Sequence, residues 1–373
     1  MTLKKNILII KFSNLSRQPR VHRQLTFLKH LYNVFSAGFD KPTRLNKNRH
    51  FNIKIPISKY GLIDKFLWNL PLVNRALASL SHLNKLKFDI IIAHDPFTLP
   101  ISLILAKNFG AKVLLDAHEY TPREYEDVWI QKYFLSHLWN CLCKRYLKQA
   151  DAIITVCDGL AKEYEKDYGV HCEVITNAPF YSDLKPKLPD KNRIKMIYHG
   201  AADPSRKTED MILLMDHLDH RFHLDFMLIK NSPRYFRKLY DLGKMHPRIS
   251  FLDPVPMLDI PERTNGYDIG LFLLSPISFS YLMALPNKLF EYIQARLSIA
   301  IWPSPEMAKI VNEYNCGIIS EDFTIESMAK KLNSLSTDDI VKYKMNSHIA
   351  AGHLCAEKNE EILLNVIQKL LHQ

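Results

Sequence analysis

The chain has 373 residues, of which 47% are hydrophobic and 24% are charged, and its formal net charge is +11 at pH 7. This length exceeds a single typical core, so we expect two domains of a packed globular protein. The six cysteines have no paired metal or redox spacing, and there is neither a signal-like segment nor an apolar run of about eighteen residues. We therefore expect a cytoplasmic protein in a reducing setting that does not span a membrane.

Positive charge is concentrated in residues 1–60, which contain thirteen Lys or Arg and a single acid, Asp40. Such an asymmetry points to an anionic partner at the N-terminal face. Nucleic acid is not expected, because no zinc finger, arginine-rich arm or aromatic RNA-stacking motif accompanies the charge. An anionic inner-leaflet membrane surface, a phosphate-bearing acceptor and an ordinary solvated basic face remain as interpretations.

Strand-like and helical runs alternate through the first half of the chain. The predicted strands are residues 7–10, 33–37, 89–93, 112–115 and 152–156, and the predicted helices lie near 18–30, 97–108, 129–149 and 158–168. This alternation indicates a parallel sheet with helices on both faces. The apolar segment 61–87 is interpreted either as an amphipathic element on a membrane surface or as helices packed on this sheet.

A second alternating pattern follows a proline-rich and charged linker near residues 185–192. Its predicted strands are residues 194–199, 222–229, 249–252, 269–273, 299–302 and 317–319, and a long helical stretch covers about 338–371. We therefore expect two doubly wound α/β domains, at 1–180 and 190–350. Residues 351–373 are predicted to form a helix that packs back towards the first domain.

Ligands of doubly wound sheets bind beyond the carboxyl ends of the strands, so the polar residues that follow each strand are the candidates. They are Ser13, Asn14, Arg17, His94, Asp95, Asp116, His118 and Glu119 in the first half, and His199, Gly200, Arg206, Lys207, Lys230, Asn231, Ser275–Ser280 and Glu291 in the second. We expect the two sets to converge on a cleft between the domains. A dinucleotide loop, a phosphate-cradling P-loop and an Asp-x-Asp metal pair are all missing from the sequence.

Residues 286–302, PNKLFEYIQARLSIAIW, predict a loop, a short helix and a buried strand. Glu291 lies near the start of this helix. Two explanations of its carboxylate stay open: the helix dipole, which favours acids in the first turn, or a ligand held at a helix start.

Taken in order, these motifs resemble the retaining GT-B glycosyltransferases of family 4, which include many bacterial capsule and lipopolysaccharide enzymes. The resemblance is carried by Ser13–Arg23, by DIIIAHDP at 89–96, DAHE at 116–119, VITN at 174–177, YHG at 198–200 with the basic pair after it, and PNKLFEY at 286–292. It implies a GT-B fold, with two Rossmann-like domains facing across a cleft. It also implies a glycan or lipid-linked acceptor on the N-terminal side, a nucleoside-diphosphate-sugar donor on the C-terminal side, and retaining transfer without a metal or other cofactor.

The resemblance also assigns roles to particular residues. Glu291 matches the acid that receives the ribose hydroxyls of the donor, because a carboxylate accepts two hydrogen bonds. Arg206 and Lys207 match the basic pair that neutralises the diphosphate. His118 matches a histidine that touches the sugar, with a structural histidine as the alternative. Further positions are implied for the donor loop, Gly200, Asn287 and Lys288, and for the acceptor side, Ser13, Asn14 and Arg17.

One position departs from the family pattern. The family often has a second glutamate eight residues before the ribose-binding one, and this chain has Met283 there, with no acid in 275–285. Three functions therefore stay open: a cytoplasmic transferase, peripheral at the inner membrane face, that builds surface polysaccharide; a sugar-nucleotide 2-epimerase, which needs paired acids or histidines; and a catalytically silent partner subunit.

Overall fold

The structure is a computed structural model, and it describes residues 4–42, 45–53, 80, 83, 86–124, 126 and 136–372. The chain divides into two compact units, the first formed by Met1–Thr176 with Asn359–Gln373 and the second by Asn177–Lys358. Each unit contains one parallel β-sheet with helices between its strands. Most of the segment 61–87, which we interpreted as an amphipathic element, lies outside the described residues.

The sheet of the first unit has seven described strands: β1 (Asn6–Ile10), β2 (Asn33–Gly38), β3 (His50–Asn52), β4 (Ile90–His94), β5 (Lys112–Ala117), β6 (Ala152–Thr155) and β7 (Glu173–Val174). Their spatial order is β3-β2-β1-β4-β5-β6-β7, with parallel pairing throughout. The order reverses direction between β1 and β4, which is where a doubly wound sheet opens a crevice at the carboxyl ends of its strands.

The helices described in the first unit are α1 (Pro19–Leu28), α2 (Leu99–Phe109), α3 (Ser136–Tyr146) and α4 (Asp158–Tyr168). Glycines at 110 and 169 end α2 and α4 in the left-handed conformation, with φ of 67° and 61°, which other residues adopt less readily. The predicted helix 129–149 corresponds to α3, and its first seven residues, 129–135, lie outside the described residues. The other predicted helices are confirmed.

The sheet of the second unit has six described strands: β8 (Ile194–Ala201), β9 (Phe222–Ile229), β10 (Ile249–Leu252), β11 (Ile269–Phe272), β12 (Ser298–Ile301) and β13 (Gly317–Ile319). Their order is β10-β9-β8-β11-β12-β13, again with parallel pairing. All six were predicted to within two residues at each end. Their continuous Ile, Leu, Phe and Met runs are typical of parallel strands that are covered on both faces.

The helices of the second unit are α5 (Glu209–Leu214), α6 (Pro233–Gly243), α7 (Ile260–Thr264), α8 (Phe279–Leu282), α9 (Asn287–Gln294), α10 (Pro305–Tyr314), α11 (Ile325–Asn333) and α12 (Thr337–His353), and α13 (Ala356–His372) follows. The long helical stretch predicted near 338–371 is therefore two helices, with a break at 354–355. In the described part of the chain, no helix combines the length and the apolar character needed to cross a bilayer.

Helix α9 lies directly on the sheet because of one glycine. A Cβ at Gly270 of β11 would come within 2.3 Å of the Tyr292 ring, so a larger residue there would push the helix away. The Tyr292 hydroxyl donates to the carbonyls of Ile197, at 3.2 Å, and Leu271, at 3.1 Å. These contacts tie α9 to β8 and β11, the two strands whose ends carry candidate residues.

The residue that follows α9 is an arginine in the left-handed conformation. Arg296 has φ of 63° and a fully buried side chain, an arrangement that is uncommon for a residue with a Cβ. Its guanidinium donates to the carbonyl of Ser182, at 2.5 Å, and to that of Gln294, at 2.6 Å. The arginine therefore joins the end of α9 to the segment that opens the second unit.

Candidate functional site

Two cations converge on a glycine at the carboxyl end of β8. Gly200 has φ of 138°, and a Cβ there would lie 3.2 Å from Nζ of Lys288 and 3.4 Å from Nη1 of Arg206. A side chain at this position would fill the space between the two cations and the backbone. We call Gly200, Arg206 and Lys288 the cation cradle.

Lys288 of the cradle is a buried cation without a hydrogen-bond partner. Its side chain is 5% exposed as a residue, and its Nζ makes no hydrogen bond in the described part of the chain. The ammonium instead lies 3.9 Å and 4.0 Å from the ring centroids of Tyr198 and Phe272. Burial lowers the pKa of Lys288 well below its ordinary value, and the neighbouring Arg206 acts in the same direction. A bound anion would relieve both effects.

Beside the cradle, His199 faces Glu291. The distance from His199 Nε2 to Glu291 Oε2 is 3.5 Å, and the two side chains are 4% and 7% exposed. Burial lowers the pKa of His199 well below its ordinary value, and Lys288 and Arg206 act in the same direction, so the ring is neutral at pH 7. In the described part of the chain, Nε2 of His199 makes no hydrogen bond, which leaves it capacity for one.

The position of Glu291 bears on the first of the two explanations given for it. Glu291 is the fifth residue of α9, and the first turn of that helix contains no acid. The helix dipole acts mainly within the first turn, so it does not account for this buried carboxylate. The binding of a ligand by Glu291 stays a prediction.

The other residues predicted for the donor side differ in their surroundings. Lys207 is exposed, has φ of 45°, and follows a short 3-10 turn that ends at Arg206. None of the contacts of the described residues joins it to the cradle. Asn287 is the first residue of α9, and its buried Oδ1 has no hydrogen-bond partner among the described residues. Met283 follows α8, whose first turn is capped by Ser278.

In the first unit, candidate residues follow the three neighbouring strands β1, β4 and β5. Ser13, Asn14 and Arg17 come after β1: the buried Ser13 Oγ has no partner in the described part of the chain, Asn14 bridges to Asp40, and Arg17 is exposed. His118 comes after β5. The ring of His118 lies edge-on to that of His94, the last residue of β4, with 5.0 Å between centroids.

A continuous series of hydrogen bonds connects His118 to helix α1. Arg20 Nε donates to both carboxylate oxygens of Asp116, at 2.9 and 2.8 Å, and Gln24 Nε2 donates to Asp116 Oδ2 at 2.6 Å. Gln24 Oε1 lies 2.8 Å from His94 Nε2, and His94 Nδ1 lies 3.0 Å from His118 Nε2. We call these five residues the buried relay. Arg20 and Gln24 were not predicted as site residues, although their spacing of four places them on one face of α1.

Charge in the relay is balanced internally. Burial acts to raise the pKa of Asp116, but the Arg20 guanidinium and the two histidines hold it well below its ordinary value. Burial likewise opposes ionisation of Asp95, and the Lys11 ammonium at 2.6 Å nevertheless lowers its pKa to about 2. Lys11 and Arg20 are therefore internal counter-ions. This corrects part of the predicted basic N-terminal face, since these two residues do not contribute to a surface.

In the described residues, one group of possible metal ligands has its ligand atoms within 4.8 Å of one another, namely His94, Asp116 and His118. Their facing atoms already pair with each other, with Gln24 and with Arg20. A divalent cation here would have to break those bonds beside a guanidinium, which disfavours it electrostatically. The arrangement is better suited to orienting a histidine.

Part of the chain that carries the buried relay matches a known protein family. Residues 20–178 match the family model described as Glycosyltransferase Family 4. The match begins at Arg20 of the relay and covers the strands that carry His94 and His118. No curated protein sequence matches the chain.

Solved structures match nearly the whole chain. HepE of Anabaena, in complex with UDP and glucose, superposes with a TM-score of 0.71 at 13% identity, covering 98% of this chain and 100% of that one. Sucrose-phosphate synthase of Thermosynechococcus elongatus has a TM-score of 0.79 at 10% identity, with 99% and 100% covered. WaaG, a glycosyltransferase involved in lipopolysaccharide biosynthesis, has a TM-score of 0.66 at 14% identity, with 95% and 99% covered.

Residues 20–178 are similar to Glycosyltransferase Family 4, and the solved structures show that the whole chain shares their fold. The fold is α/β with two Rossmann-like units, as expected for GT-B. The family model describes glycosyltransferases and covers residues 20–178, whereas the structural matches bear on the fold alone. The predicted cleft between the two domains stays a prediction.

Proposed function

We propose that this protein transfers a sugar from a nucleoside-diphosphate-sugar donor to a surface polysaccharide or lipid-linked glycan. The observation that carries the proposal is the cation cradle. There Nζ of Lys288, which is buried and has no hydrogen-bond partner among the described residues, and Nη1 of Arg206 meet at the side-chain-free face of Gly200. A fully buried ammonium without a partner is costly unless a ligand supplies the opposite charge. The diphosphate of a sugar nucleotide supplies that charge.

The chemistry of transfer explains why cations belong at this point. Cleavage of the bond between sugar and phosphate leaves negative charge on the departing diphosphate. Arg206 and Lys288 stabilise the charge as it develops. Lys288 is already held by burial against the Tyr198 ring, and Nη1 of Arg206 lies beside it at Gly200. We propose on this basis that transfer proceeds without a metal, and with retention as the family resemblance implies.

The neighbouring groups have separate roles in this proposal. Glu291, buried beside His199, receives the ribose hydroxyls, and Asn287 lies at the start of the same helix with a free amide oxygen. His118 contacts the sugar. Ser13, Asn14 and Arg17 belong to the acceptor side, and Lys207 adds long-range charge near the diphosphate.

The relatives of known structure support the classes of donor and acceptor. HepE is a protein bound to UDP and to UDP-glucose, which supports a nucleotide-sugar donor for this chain. WaaG acts in lipopolysaccharide biosynthesis, which supports a surface glycan as acceptor. The excess of basic residues in the first sixty positions favours work at the inner face of a membrane, and co-sedimentation with anionic liposomes tests that part.

Nucleotide binding and turnover test the proposal directly. Calorimetric titration of the full chain with UDP, GDP, CDP and dTDP identifies the base, and incubation with the corresponding sugar nucleotides identifies the reaction. Release of nucleotide supports a transferase, whereas interconversion of sugars without release indicates the epimerase. If none of the diphosphates binds, the protein is the silent partner that Met283 first brought into consideration.

The substitution Glu291→Gln tests the ribose contact. Replacing the carboxylate by an amide removes charge-assisted hydrogen bonds, so we expect nucleotide affinity to fall by about 1.5 to 3 kcal/mol. The matched control is Glu313→Gln, an exposed position of the same unit. Equal affinities of the two variants in calorimetry would rule out the role given to Glu291.

A further inference from the structure

The buried relay has a fixed direction, because its first members have only one hydrogen-bonding role each. The Arg20 guanidinium donates and never accepts, and Asp116, an ionised carboxylate, only accepts. The remaining bond to Asp116 Oδ2, at 2.6 Å, must therefore come from the amide nitrogen of Gln24. That requirement turns the amide oxygen of Gln24 towards His94.

The protonation of His94 follows from this orientation. Gln24 Oε1 is an acceptor 2.8 Å from His94 Nε2, so Nε2 carries the proton. Burial keeps the pKa of His94 well below its ordinary value, which leaves the ring neutral. A neutral ring has one proton only. The lone pair of His94 is therefore on Nδ1, which faces His118.

The same reasoning extends to His118. Its Nε2 lies 3.0 Å from the lone pair of His94 Nδ1 and 3.4 Å from Asp116 Oδ1, so both neighbours of this nitrogen are acceptors. Nε2 of His118 is therefore the protonated nitrogen. Burial lowers the pKa of His118, and the Lys11 ammonium acts in the same direction, so this ring too is neutral at pH 7. Its second nitrogen, Nδ1, is left with a lone pair.

That second nitrogen is available to a ligand. In the described part of the chain, Nδ1 of His118 makes no hydrogen bond, and the side chain keeps 16% of its exposed surface. Nη1 of Arg20 donates to the carbonyl of Ile175, at 2.7 Å, and the side chains of Asp116, Gln24 and His94 bond within the relay. Among the described residues, the acceptor that the relay offers outwards is Nδ1 of His118.

We propose that Gln24 and His94 are positioning residues that hold His118 as the neutral Nε2–H tautomer, so that Nδ1 accepts a hydrogen bond from a substrate hydroxyl. The inference rests on the proposed function, in which His118 contacts the sugar. It adds a rule of recognition. A group that can donate, such as a sugar hydroxyl, is accepted at this point, whereas a phosphate oxygen or an amide carbonyl would meet a lone pair and is rejected.

The tautomer can be observed in the free protein. The full chain is labelled with ¹⁵N-histidine, and long-range ¹H–¹⁵N correlations are recorded at pH 7, with His118→Gln and His94→Gln spectra for assignment. We expect both rings to show protonated Nε2 and unprotonated Nδ1. A His118 signal of the Nδ1–H tautomer, or of the imidazolium, overturns the proposal whatever the protein's activity.

A variant tests the contribution of Gln24. Gln24→Met keeps the volume and removes both relay bonds, and Gln149→Met makes the same chemical change at an exposed position. We expect only Gln24→Met to shift the His118 nitrogen signals. It should also lower kcat by about tenfold, the order of one hydrogen bond, with the apparent KM for the donor nearly unchanged.

The possible results separate this inference from the proposed function. His118 signals in Gln24→Met that match those of Gln149→Met would overturn the positioning role. Normal nucleotide binding with a shifted tautomer and lowered kcat in Gln24→Met would support it. If no sugar nucleotide binds although the tautomers are as expected, the proposed function fails and the positioning by Gln24 and His94 stands.

Discussion

Buried charges differ between the carboxyl edges of the two sheets: at the first edge they are paired, and at the second, among the described residues, one is not. At the edge of the first sheet, Asp116 has a guanidinium, an amide and two imidazoles around it, and a series of hydrogen bonds joins these groups. At the edge of the second sheet, the Nζ of Lys288 is equally buried but lies against two aromatic rings, and it has no hydrogen-bond partner among the described residues.

This difference indicates what each edge is for. A satisfied buried network rigidifies the groups that it contains, so the first edge is suited to holding one side chain in one orientation. A buried cation without a partner is stabilised when an anion binds to it, so the carboxyl edge of the second sheet is suited to binding an anion. Under the proposed function, the first edge would orient the sugar and the second would bind the diphosphate.

The largest effect is expected from breaking the satisfied edge. Arg20→Met leaves Asp116 buried without its main counter-ion, so the free energy of unfolding should fall by about 3 to 5 kcal/mol. Chemical denaturation measures this change. Lys112→Met is the control, because Lys112 pairs with Asp151 near the surface and its loss should change stability by less than about 1 kcal/mol. Similar losses in the two variants would contradict the contrast between the edges.

Replacing the buried cation of the second sheet by methionine should raise the stability of the protein rather than lower it. Lys288→Met removes a desolvated cation and keeps the apolar contacts, so the ligand-free protein should gain about 1 kcal/mol after the lost cation–π contacts are allowed for. Donor affinity should fall by about 1.5 to 3 kcal/mol. Denaturation and nucleotide calorimetry measure the two quantities, with the exposed Lys244→Met as control. A large loss of stability on Lys288→Met would show that the ammonium is structural.

Dependence on pH sharpens the contrast further. The pKa of Asp116 is lowered in the folded state, so its stabilisation is complete above the unfolded pKa near 4 and is lost as the pH falls through the lower folded value. The pKa of Lys288 is lowered too, but for a base this means that the unfolded chain binds more protons between the folded pKa and about 10.4. Stability should therefore rise with pH in that window. Denaturation midpoints recorded from pH 7 to 10 should show a smaller rise in Lys288→Met, and equal slopes would contradict the assignment to Lys288.

The smallest effect is expected at Lys207. The sequence paired it with Arg206, but Lys207 is exposed and Arg206 belongs to the cradle. We expect Arg206→Met to lower nucleotide affinity by about 1.5 to 3 kcal/mol and Lys207→Met by less than about 1 kcal/mol. Calorimetry of the two variants with the same diphosphate decides this. An equal loss would mean that the two residues act as the pair that the resemblance implies.

The fold was largely predictable because its signals are local. Buried parallel strands have continuous apolar runs, and helices are bounded by proline at the start and glycine at the end, as at Pro19 and Gly110. Strands β3 and β7 were missed, since three and two residues carry no periodic pattern and pair only because β2 and β6 lie beside them. The break between α12 and α13 was not placed within the helical stretch 338–371, although Gly352 lies two residues before it.

The candidate site residues that could be predicted were those that follow a strand or match a motif of the family. Gly200, Lys288 and Glu291 were named from the sequence, and the structure brings them close to Arg206 and His199. Gln24 was not named, because a glutamine on a helix has no distinctive pattern. Its role arises from contact with Asp116, which is 92 residues away along the chain.

The sequence by itself determined the two alternating α/β patterns, the linker between them and the residue types at each strand end, because apolar periodicity and turn residues act over a few positions. Only the tertiary structure decided which of the described charges are paired and which are buried without a partner. Arg20 meets Asp116 across 96 residues, whereas Lys288 is enclosed by rings from two strands and meets no carboxylate oxygen at hydrogen-bond distance in the described part of the chain. Burial and pairing depend on groups that are distant in sequence, and it is these two properties that set protonation and binding.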